Sequence, residues 1–139
     1  MDLNFLLNKA VKLHLRGNLD KAKEIYEKII KIDQHNLIAN ANLGAIHNAK
    51  KNYQKALYFL EKALLIKPNY VEALSNKGNS LRGLNQHKNA LKIYDQALNI
   101  QPNFIDALNN KGNCLQSLDL FNEAIKIYDQ ILLLKPNFV

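Results

Sequence analysis

The side-chain amides of this sequence recur at a constant spacing, which places matching groups at matching points of a repeated structure. Asparagine returns at equal intervals along the chain, at Asn8, Asn42, Asn76 and Asn110. A side-chain amide offers two hydrogen-bond donors and an acceptor with two lone pairs. This set complements the N–H and C=O groups of an extended polypeptide, whatever side chains it carries. A row of such amides, if the fold brings them side by side, is therefore suited to hydrogen-bonding a peptide backbone.

Residue types that serve catalysis, metal binding or phosphate binding do not form a recognisable motif. The sequence has no glycine-rich phosphate loop, and no serine lies in a nucleophile-elbow motif. The single cysteine, Cys114, excludes an internal disulfide and a multi-cysteine zinc site. The histidines lack partners at metal-ligand spacing; they are His14, His35, His47 and His87. We therefore expect neither enzyme activity nor a bound metal or cofactor.

The length, charge and hydropathy pattern predict one domain without a membrane span. The chain has 139 residues and a net charge of +7, from 19 basic and 12 acidic side chains. One domain is the usual outcome for this length. No run of about 18 apolar residues is present, and the N-terminus lacks the basic start and apolar stretch of a secretory signal. We expect a cytoplasmic protein without membrane contact.

The interval between these asparagines runs through the whole sequence. Glycines coincide at the same interval, at Gly44, Gly78 and Gly112. Prolines coincide at Pro68, Pro102 and Pro136. Self-similarity at a fixed period of about 20–50 residues indicates stacked repeat units. The units cover residues 3–36, 37–70, 71–104 and 105–138, and together they form one predicted domain over residues 3–138.

Each unit is predicted to contain two helices, because apolar residues recur at helical spacing in both of its halves. In the third unit, Pro102 ends the second helix, and Asn103 is expected to cap the helix that follows. Gly78 and Ala90 are expected to meet across the helix pair, where larger side chains would hold the backbones apart. One helical hairpin cannot bury its apolar face alone, so the hairpins must stack.

These features closely resemble the tetratricopeptide repeat family, whose repeats are about 34 residues long. The match includes glycine at position 8 of three units and alanine at position 20 of all four. It also includes tyrosine at position 24 of three units, at Tyr26, Tyr94 and Tyr128. The resemblance implies an all-α fold, a right-handed α-solenoid of four helix-turn-helix units. It also places Cys114 where side chains face neighbouring helices, so we expect a buried thiol rather than a reactive one.

Several positions depart from the family pattern. Ala10 and Gln34 replace the expected glycine and proline of the first unit, as in an atypical terminal repeat. Asn40 replaces the large apolar residue at position 4 of the second unit. Position 11, which is tyrosine in the family, holds Leu13, His47, Leu81 and Leu115. The remaining match is still specific for the fold.

In this family the first helices of the units line a concave groove. Mapped onto this sequence, the resemblance implies a row of amides along the groove, formed by Asn8, Asn42, Asn76, Asn79, Asn110 and Asn113. Glu72 and Asp106 also face the groove and favour a basic residue in the ligand. Arg82 is the only basic residue that maps to the groove. Because the other basic residues fall outside it, we expect no nucleic-acid binding.

Two interpretations of the asparagine row stay open. The amides contact a peptide ligand, similar to the asparagine ladder in the repeats of O-linked GlcNAc transferase, or they belong to the scaffold of a sequence rich in asparagine. A carboxylate clamp of the kind that recognises chaperone tails is rejected. Its positions retain only the central asparagine, because they hold Leu7, Val11, Asn42, Glu72 and Asn76.

The predicted last helix leaves an apolar face uncovered. We therefore expect either the N-terminal part of a longer protein or self-association through that face. The stretch from Ala10 to Tyr26 resembles the first repeats of bacterial O-linked GlcNAc transferase-like proteins. The predicted function is a non-catalytic module that binds a protein or an extended peptide. The alternatives are the substrate-recruiting arm of a glycosyltransferase and a homo-oligomeric scaffold.

Overall fold

The structure, a computed structural model, describes residues 2–135, which form helices and turns without a strand. Each predicted unit is one helical hairpin, so the all-α prediction is confirmed. The helices are α1 (Leu3–Leu15), α2 (Leu19–Ile32), α3 (Leu37–Ala49), α4 (Tyr53–Ile66), α5 (Val71–Gly83), α6 (His87–Ile100), α7 (Ile105–Ser117) and α8 (Phe121–Leu134).

The helices fall into two compact halves, the N-terminal half Met1–Pro68 with α1 to α4 and the C-terminal half Asn69–Val139 with α5 to α8. In the N-terminal half α2 packs on α3, which joins its two hairpins. In the C-terminal half α7 packs on both α5 and α6. Hairpins therefore stack within each half, as the exposed apolar face of a lone hairpin requires. The single domain over residues 3–138 stays a prediction.

Each hairpin turns at one residue in the left-handed backbone region. These residues occupy position 15 of their units: Gly17, Lys51, Asn85 and Asp119, with φ between 60° and 81°. The N–H of Gly17 donates to the carbonyl of His14, and the N–H of Asn18 donates to that of Leu13. This pair of bonds is a Schellman motif, which satisfies carbonyls at the end of α1. The other three hairpins repeat both bonds.

The turns between hairpins begin helices in two different ways. Before α3, the side chain of Asn36 accepts a hydrogen bond from the N–H of Ala39 at 2.9 Å. Before α7, the N-cap residue is Phe104, and no side-chain cap bond forms. The prediction that Asn103 caps α7 is therefore wrong, because the helix begins at Ile105 and Asn103 lies one residue too early.

Two departures from the repeat pattern meet at the turn between α2 and α3. Asn40 is fully buried, and its Nδ2 donates to the carbonyl oxygens of Gln34 at 3.1 Å and Asn36 at 2.9 Å. The amide of Asn40 therefore replaces the large apolar side chain of the repeat pattern, and it forms hydrogen bonds with the backbone of this turn. The pairing stabilises a turn that lacks the proline of the later units.

The helices of a hairpin approach closely where glycine stands at position 8. A Cβ added to Gly78 would overlap Cε1 of Tyr94 and lie 2.7 Å from its Cδ1. The atoms nearest to this position belong to the ring of Tyr94, one turn beyond Ala90 along α6, and the expected contact of Gly78 with Ala90 stays a prediction. Gly44 meets Leu60 in the same way, and Gly112 meets Tyr128. Glycine at this position makes room for a large side chain.

The thiol and the last helix agree with their predictions. Cys114 is fully buried, and its Sγ donates to the carbonyl of His87 at 3.3 Å. Burial raises the pKa of this thiol, which makes it less reactive. Helix α8 exposes large apolar side chains, including Phe121 (54%), Ile125 (55%) and Leu133 (85%). Pro136 and the residues after it, through the end of the fourth predicted unit, lie outside the described residues.

We predict that Gly78→Ala destabilises the protein by about 1–3 kcal/mol, because the new methyl group overlaps the buried ring of Tyr94. Helix propensity alone predicts the opposite, a gain of about 1 kcal/mol. Urea unfolding followed by circular dichroism decides the sign. The double variant Gly78→Ala/Tyr94→Ala is the control, and its cost should be less than the sum of the two single costs. A more stable Gly78→Ala protein would contradict the packing argument.

We predict that acid destabilises the protein through His14 and His47. Burial lowers the pKa of both imidazoles, so the folded state disfavours their charged forms. Their contribution to stability is complete above the unfolded pKa of about 6.5 and is lost as the pH falls towards the lower folded pKa. Urea unfolding at several pH values measures this loss. In His47→Leu, which introduces the residue of the other units, the loss should be smaller; an unchanged loss would exclude His47.

Candidate functional site

A polar cleft lies between α5 and α7 in the C-terminal half. Its volume is about 290 Å³. Four lining residues come from α5 and three from α7, and Phe104 comes from the turn before α7. The lining residues are Glu72, Ser75, Asn76, Asn79, Phe104, Asp106, Asn109 and Asn110. Ser75 is buried, and Asn76, Asn79, Asn109 and Asn110 are half-buried.

Helical spacing explains why these side chains share one surface. Glu72, Ser75, Asn76 and Asn79 follow one another along α5 at steps of three, one and three. Residues three and four positions apart lie on the same face of a helix. Asp106, Asn109 and Asn110 repeat the first part of the pattern on α7. Because α5 and α7 pack together, the two faces become the two sides of the cleft.

Two carboxylates stand at the same end of the cleft. Glu72 lies in the first turn of α5 and Asp106 in the first turn of α7. The partial positive charge of a helix N-terminus stabilises an acidic side chain there. Both side chains are exposed, so they can still meet a ligand. This end of the cleft suits a cationic group better than an anionic one.

A buried tyrosine fixes one amide of the cleft. The hydroxyl of Tyr94 donates to Oδ1 of Asn79 at 2.7 Å. Burial raises the pKa of Tyr94, so its hydroxyl remains a donor at neutral pH. The bond sets which way the amide of Asn79 is turned, and it leaves both hydrogens on Nδ2 available for an acceptor. Asn79 therefore belongs to the scaffold and lines the cleft at the same time.

The same bond recurs in the next hairpin. The hydroxyl of Tyr128 donates to Oδ1 of Asn113 at 2.6 Å. In the N-terminal half, Nδ2 of Asn42 donates to the hydroxyl of Tyr26 at 2.9 Å. The asparagine at position 9 precedes the tyrosine at position 24 in both later hairpins, and this shared spacing is the sequence signal for the bond. The scaffold interpretation thus applies to part of the predicted row.

The remaining predicted residues are divided between the halves. Asn8 is exposed on α1 of the N-terminal half, and Asn42 is half-buried on α3. Arg82 lies in the C-terminal half, where its Nη1 donates to the carbonyl oxygen of Asn110 at 3.4 Å and links α5 to α7. Neither Arg82 nor Asn113 lines the cleft. Asn76 also has an interaction partner within the chain.

Three lining residues are absent from the predicted set. Ser75 and Asn109 map to groove positions, but they do not repeat through all four units as the asparagines at position 6 do. Phe104 lies in the turn before α7 and not on a first helix, so the groove positions do not include it. An apolar residue just before a helix gives no distinct sequence signal for a ligand site.

The described residues hold no group of three or more His, Cys, Asp or Glu side chains placed to bind one metal ion. Between residues 2 and 135, no helix combines the length and the apolar character needed to cross a membrane.

Three family models match the chain, and each is described as a tetratricopeptide repeat. They cover residues 4–36, 35–103 and 105–138. A comparison with curated protein sequences finds no match.

Solved structures with a similar fold come from proteins of different kinds. A MamA protein from Desulfovibrio magneticus RS-1 is 21% identical with a TM-score of 0.86, over 97% of this chain and 76% of that one. An O-GlcNAc transferase mutant from Thermobaculum terrenum is 23% identical with a TM-score of 0.78, over 81% of this chain and 22% of that one. The first TPR of Spaghetti (RPAP3), bound to HSP90 peptide SRMEEVD, is 25% identical with a TM-score of 0.77, over 84% of this chain and 93% of that one.

We predict that Tyr94→Phe destabilises the C-terminal half by about 0.5–1.5 kcal/mol, because it removes the donor to Asn79 while keeping the ring. Urea unfolding measures the change. Tyr128→Phe is the matched control, since it removes the same bond from a hydroxyl that is less buried. The cost in the control should be smaller. No cost for Tyr94→Phe would show that the bond to Asn79 does not stabilise the protein, and equal costs would show that burial of the hydroxyl does not strengthen it.

Proposed function

The chain belongs to the tetratricopeptide repeat family, and we propose that it is a non-catalytic module that binds an extended peptide in the cleft of its C-terminal half. One observation carries the proposal: amides from α5 and α7 line a single cleft whose end holds two carboxylates. The amides are those of Asn76, Asn109 and Asn110, and the carboxylates are Glu72 and Asp106. This combination suits a polypeptide backbone with a basic side chain.

The amides recognise the backbone rather than a particular sequence. An amide oxygen accepts from a peptide N–H, and its NH₂ group donates to a peptide carbonyl. Asn76 and Asn110 occupy the same repeat position on the two sides of the cleft. Each such bond contributes about 0.5–1.5 kcal/mol net. Several bonds must therefore form together, and we expect micromolar rather than nanomolar affinity, that is about −8 kcal/mol or weaker.

The carboxylates provide the side-chain preference. Glu72 and Asp106 attract a lysine or arginine of the peptide and disfavour acidic residues. The peptide bound to the TPR of Spaghetti, SRMEEVD, contains three acidic residues. The groove positions that bind a chaperone-tail carboxylate in this family hold a glutamate here, at Glu72, in place of a cation. We therefore propose a basic ligand for this cleft and not an acidic tail.

The two alternative functions have different support. The likeness to the O-GlcNAc transferase concerns the fold and covers 22% of that chain, so a role as a recruiting arm stays a prediction. Self-association has one favourable observation, the exposed apolar side chains of α8. A face of this kind also suits the next repeat of a longer protein. Both alternatives are compatible with peptide binding in the cleft.

We predict that Asn76→Ala/Asn110→Ala weakens binding of a lysine-containing peptide about tenfold, because two backbone bonds of about 0.7 kcal/mol each are lost. The probe is a seven-residue peptide of alternating serine and lysine with blocked ends, and isothermal titration calorimetry measures its affinity. Asn122→Ala, at an exposed amide of α8 away from the cleft, is the control and should bind like the parent.

A second pair of variants tests the carboxylates. In Glu72→Gln/Asp106→Asn the preference for the lysine peptide over SRMEEVD should disappear, because the charges that discriminate the two peptides are gone. If the Asn76→Ala/Asn110→Ala variant binds the lysine peptide as well as the parent does, the cleft is not the binding site.

A further inference from the structure

The N-terminal half contains a cluster of three rings that the proposed function does not use. The rings of His47 and Phe59 are stacked, with centroids 5.5 Å apart and planes 3° apart. The ring of Tyr58 meets Phe59 edge-on, with centroids 5.1 Å apart. His47 lies on α3, and the other two lie on α4. We call these three residues the ring cluster.

The repeat pattern itself does not require these rings. At the position of His47 the other units have Leu13, Leu81 and Leu115. At the position of Phe59 they have Ile25, Ile93 and Ile127. At the position of Tyr58 they have Glu24, Lys92 and Lys126. Aliphatic and charged residues therefore satisfy the packing of a hairpin, and the second hairpin replaces all three with rings that contact one another.

A cavity opens beside the ring cluster, between α2 and α4. Its volume is about 390 Å³, and its lining adds Lys23, Glu27, Gln54 and Lys55 to the three rings. Ligand sites commonly measure about 300–1,000 Å³. His47 is 4% exposed, and among residues 2–135 its Nδ1 has no hydrogen-bond partner. A buried polar atom without a partner is unusual in a folded protein. The imidazole of His47 forms part of the wall of this cavity.

The rim of the cavity is basic. Lys55 has no acidic partner among the described residues, and Lys23 contacts Glu27 only at 3.9 Å. Nζ of Lys62 lies 4.7 Å from the centroid of the Tyr58 ring, a cation–π contact. Tyr58 itself is 55% exposed, so part of its ring is open to a ligand. The cavity thus combines an apolar wall of rings with an excess of positive charge.

The imidazole of His47 responds to this charge. Burial is the main cause that lowers its pKa, and Lys23, Lys55 and Lys50 lower it further, while Glu27 raises it. The potential at the ring cluster is therefore positive on balance. An anionic group placed in the cavity would be attracted to the lysines and would raise the pKa of His47.

We propose that this cavity is a second binding site, for an acidic peptide segment that carries an aromatic side chain. The aromatic ring packs against Tyr58 and Phe59, in the offset or edge-on arrangements that ring pairs prefer. The neighbouring carboxylates meet Lys23 and Lys55. The site lies in the N-terminal half and prefers acidic ligands, so it goes beyond the proposed function of the C-terminal half. A nucleic acid fits less well, because the lysines surround one cavity instead of following a strand.

The test uses a pentapeptide with blocked ends, in which one tryptophan is flanked by two aspartates on each side. We expect this peptide to bind the whole chain and to shift the NMR signals of the His47 and Phe59 rings. Replacing its tryptophan by alanine, or its aspartates by lysines, should weaken binding at least about fivefold, since each change removes one of the two attractions. Equal binding of all three peptides would overturn the proposal.

Variants taken from other units of the chain keep the fold while removing the site. Tyr58→Glu introduces the residue of the first unit, and Lys55→Glu introduces the residue of the fourth. Each should weaken binding of the pentapeptide at least about fivefold. Lys126→Glu, the same charge change on exposed α8, is the matched control and should leave binding unchanged. Circular dichroism melting confirms that each variant is folded.

Two further measurements test whether the pentapeptide binds at the ring cluster and not in the cleft, and whether the ligand of the ring cluster is a peptide and not a nucleic acid. The Asn76→Ala/Asn110→Ala variant should bind the pentapeptide like the parent, whether or not it still binds the lysine peptide. If that variant loses the pentapeptide, the second site does not exist. The proposal is also overturned if single-stranded oligothymidylate, and not the pentapeptide, shifts the His47 and Phe59 signals.

Discussion

The close contact between position 8 and position 24 of a hairpin determines how the rest of the structure is arranged. Gly78 allows the ring of Tyr94 to lie where a Cβ would otherwise be. The hydroxyl at the far end of that ring then reaches Asn79. One packing contact therefore sets both the spacing of two helices and the orientation of an amide in the cleft. Interiors this dense transmit such constraints, because few voids remain to absorb a shift.

The two halves carry surfaces of opposite electrostatic character. The cleft of the C-terminal half ends in Glu72 and Asp106, whereas Lys23 and Lys55 stand beside the ring cluster of the N-terminal half. The net charge of +7 describes neither surface, because it sums over lysines that are mostly exposed along the helices. What a charged partner meets depends on the few charges within about one Debye length, which is roughly 8–10 Å at physiological salt. Local placement is thus more informative than composition for this protein.

Much of the fold was predictable because its signals are local or periodic. Apolar residues at helical spacing, proline after the second helix of the later units and the constant repeat period predict two helices in each of four units, and these eight helices are observed. The errors lie where two elements meet. Asn103 fails as a cap because the start of α7 depends on the turn geometry. The contact of Gly78 with Tyr94 was not predicted, because it depends on how α5 and α6 cross.

The candidate site shows the same division. The sequence alone determined which residues share a helix face, and its resemblance to the repeat family predicted that Glu72, Asn76, Asn79, Asp106 and Asn110 face one groove. Only the tertiary structure decided which of these amides already have a partner, as Asn79 has in Tyr94. It also decided that a turn residue, Phe104, completes the lining of the cleft. It also brought His47, Tyr58 and Phe59 together from two helices. The physical reason is that a helix face follows from backbone periodicity, whereas a contact between helices depends on the size and rotamer of every side chain packed between them.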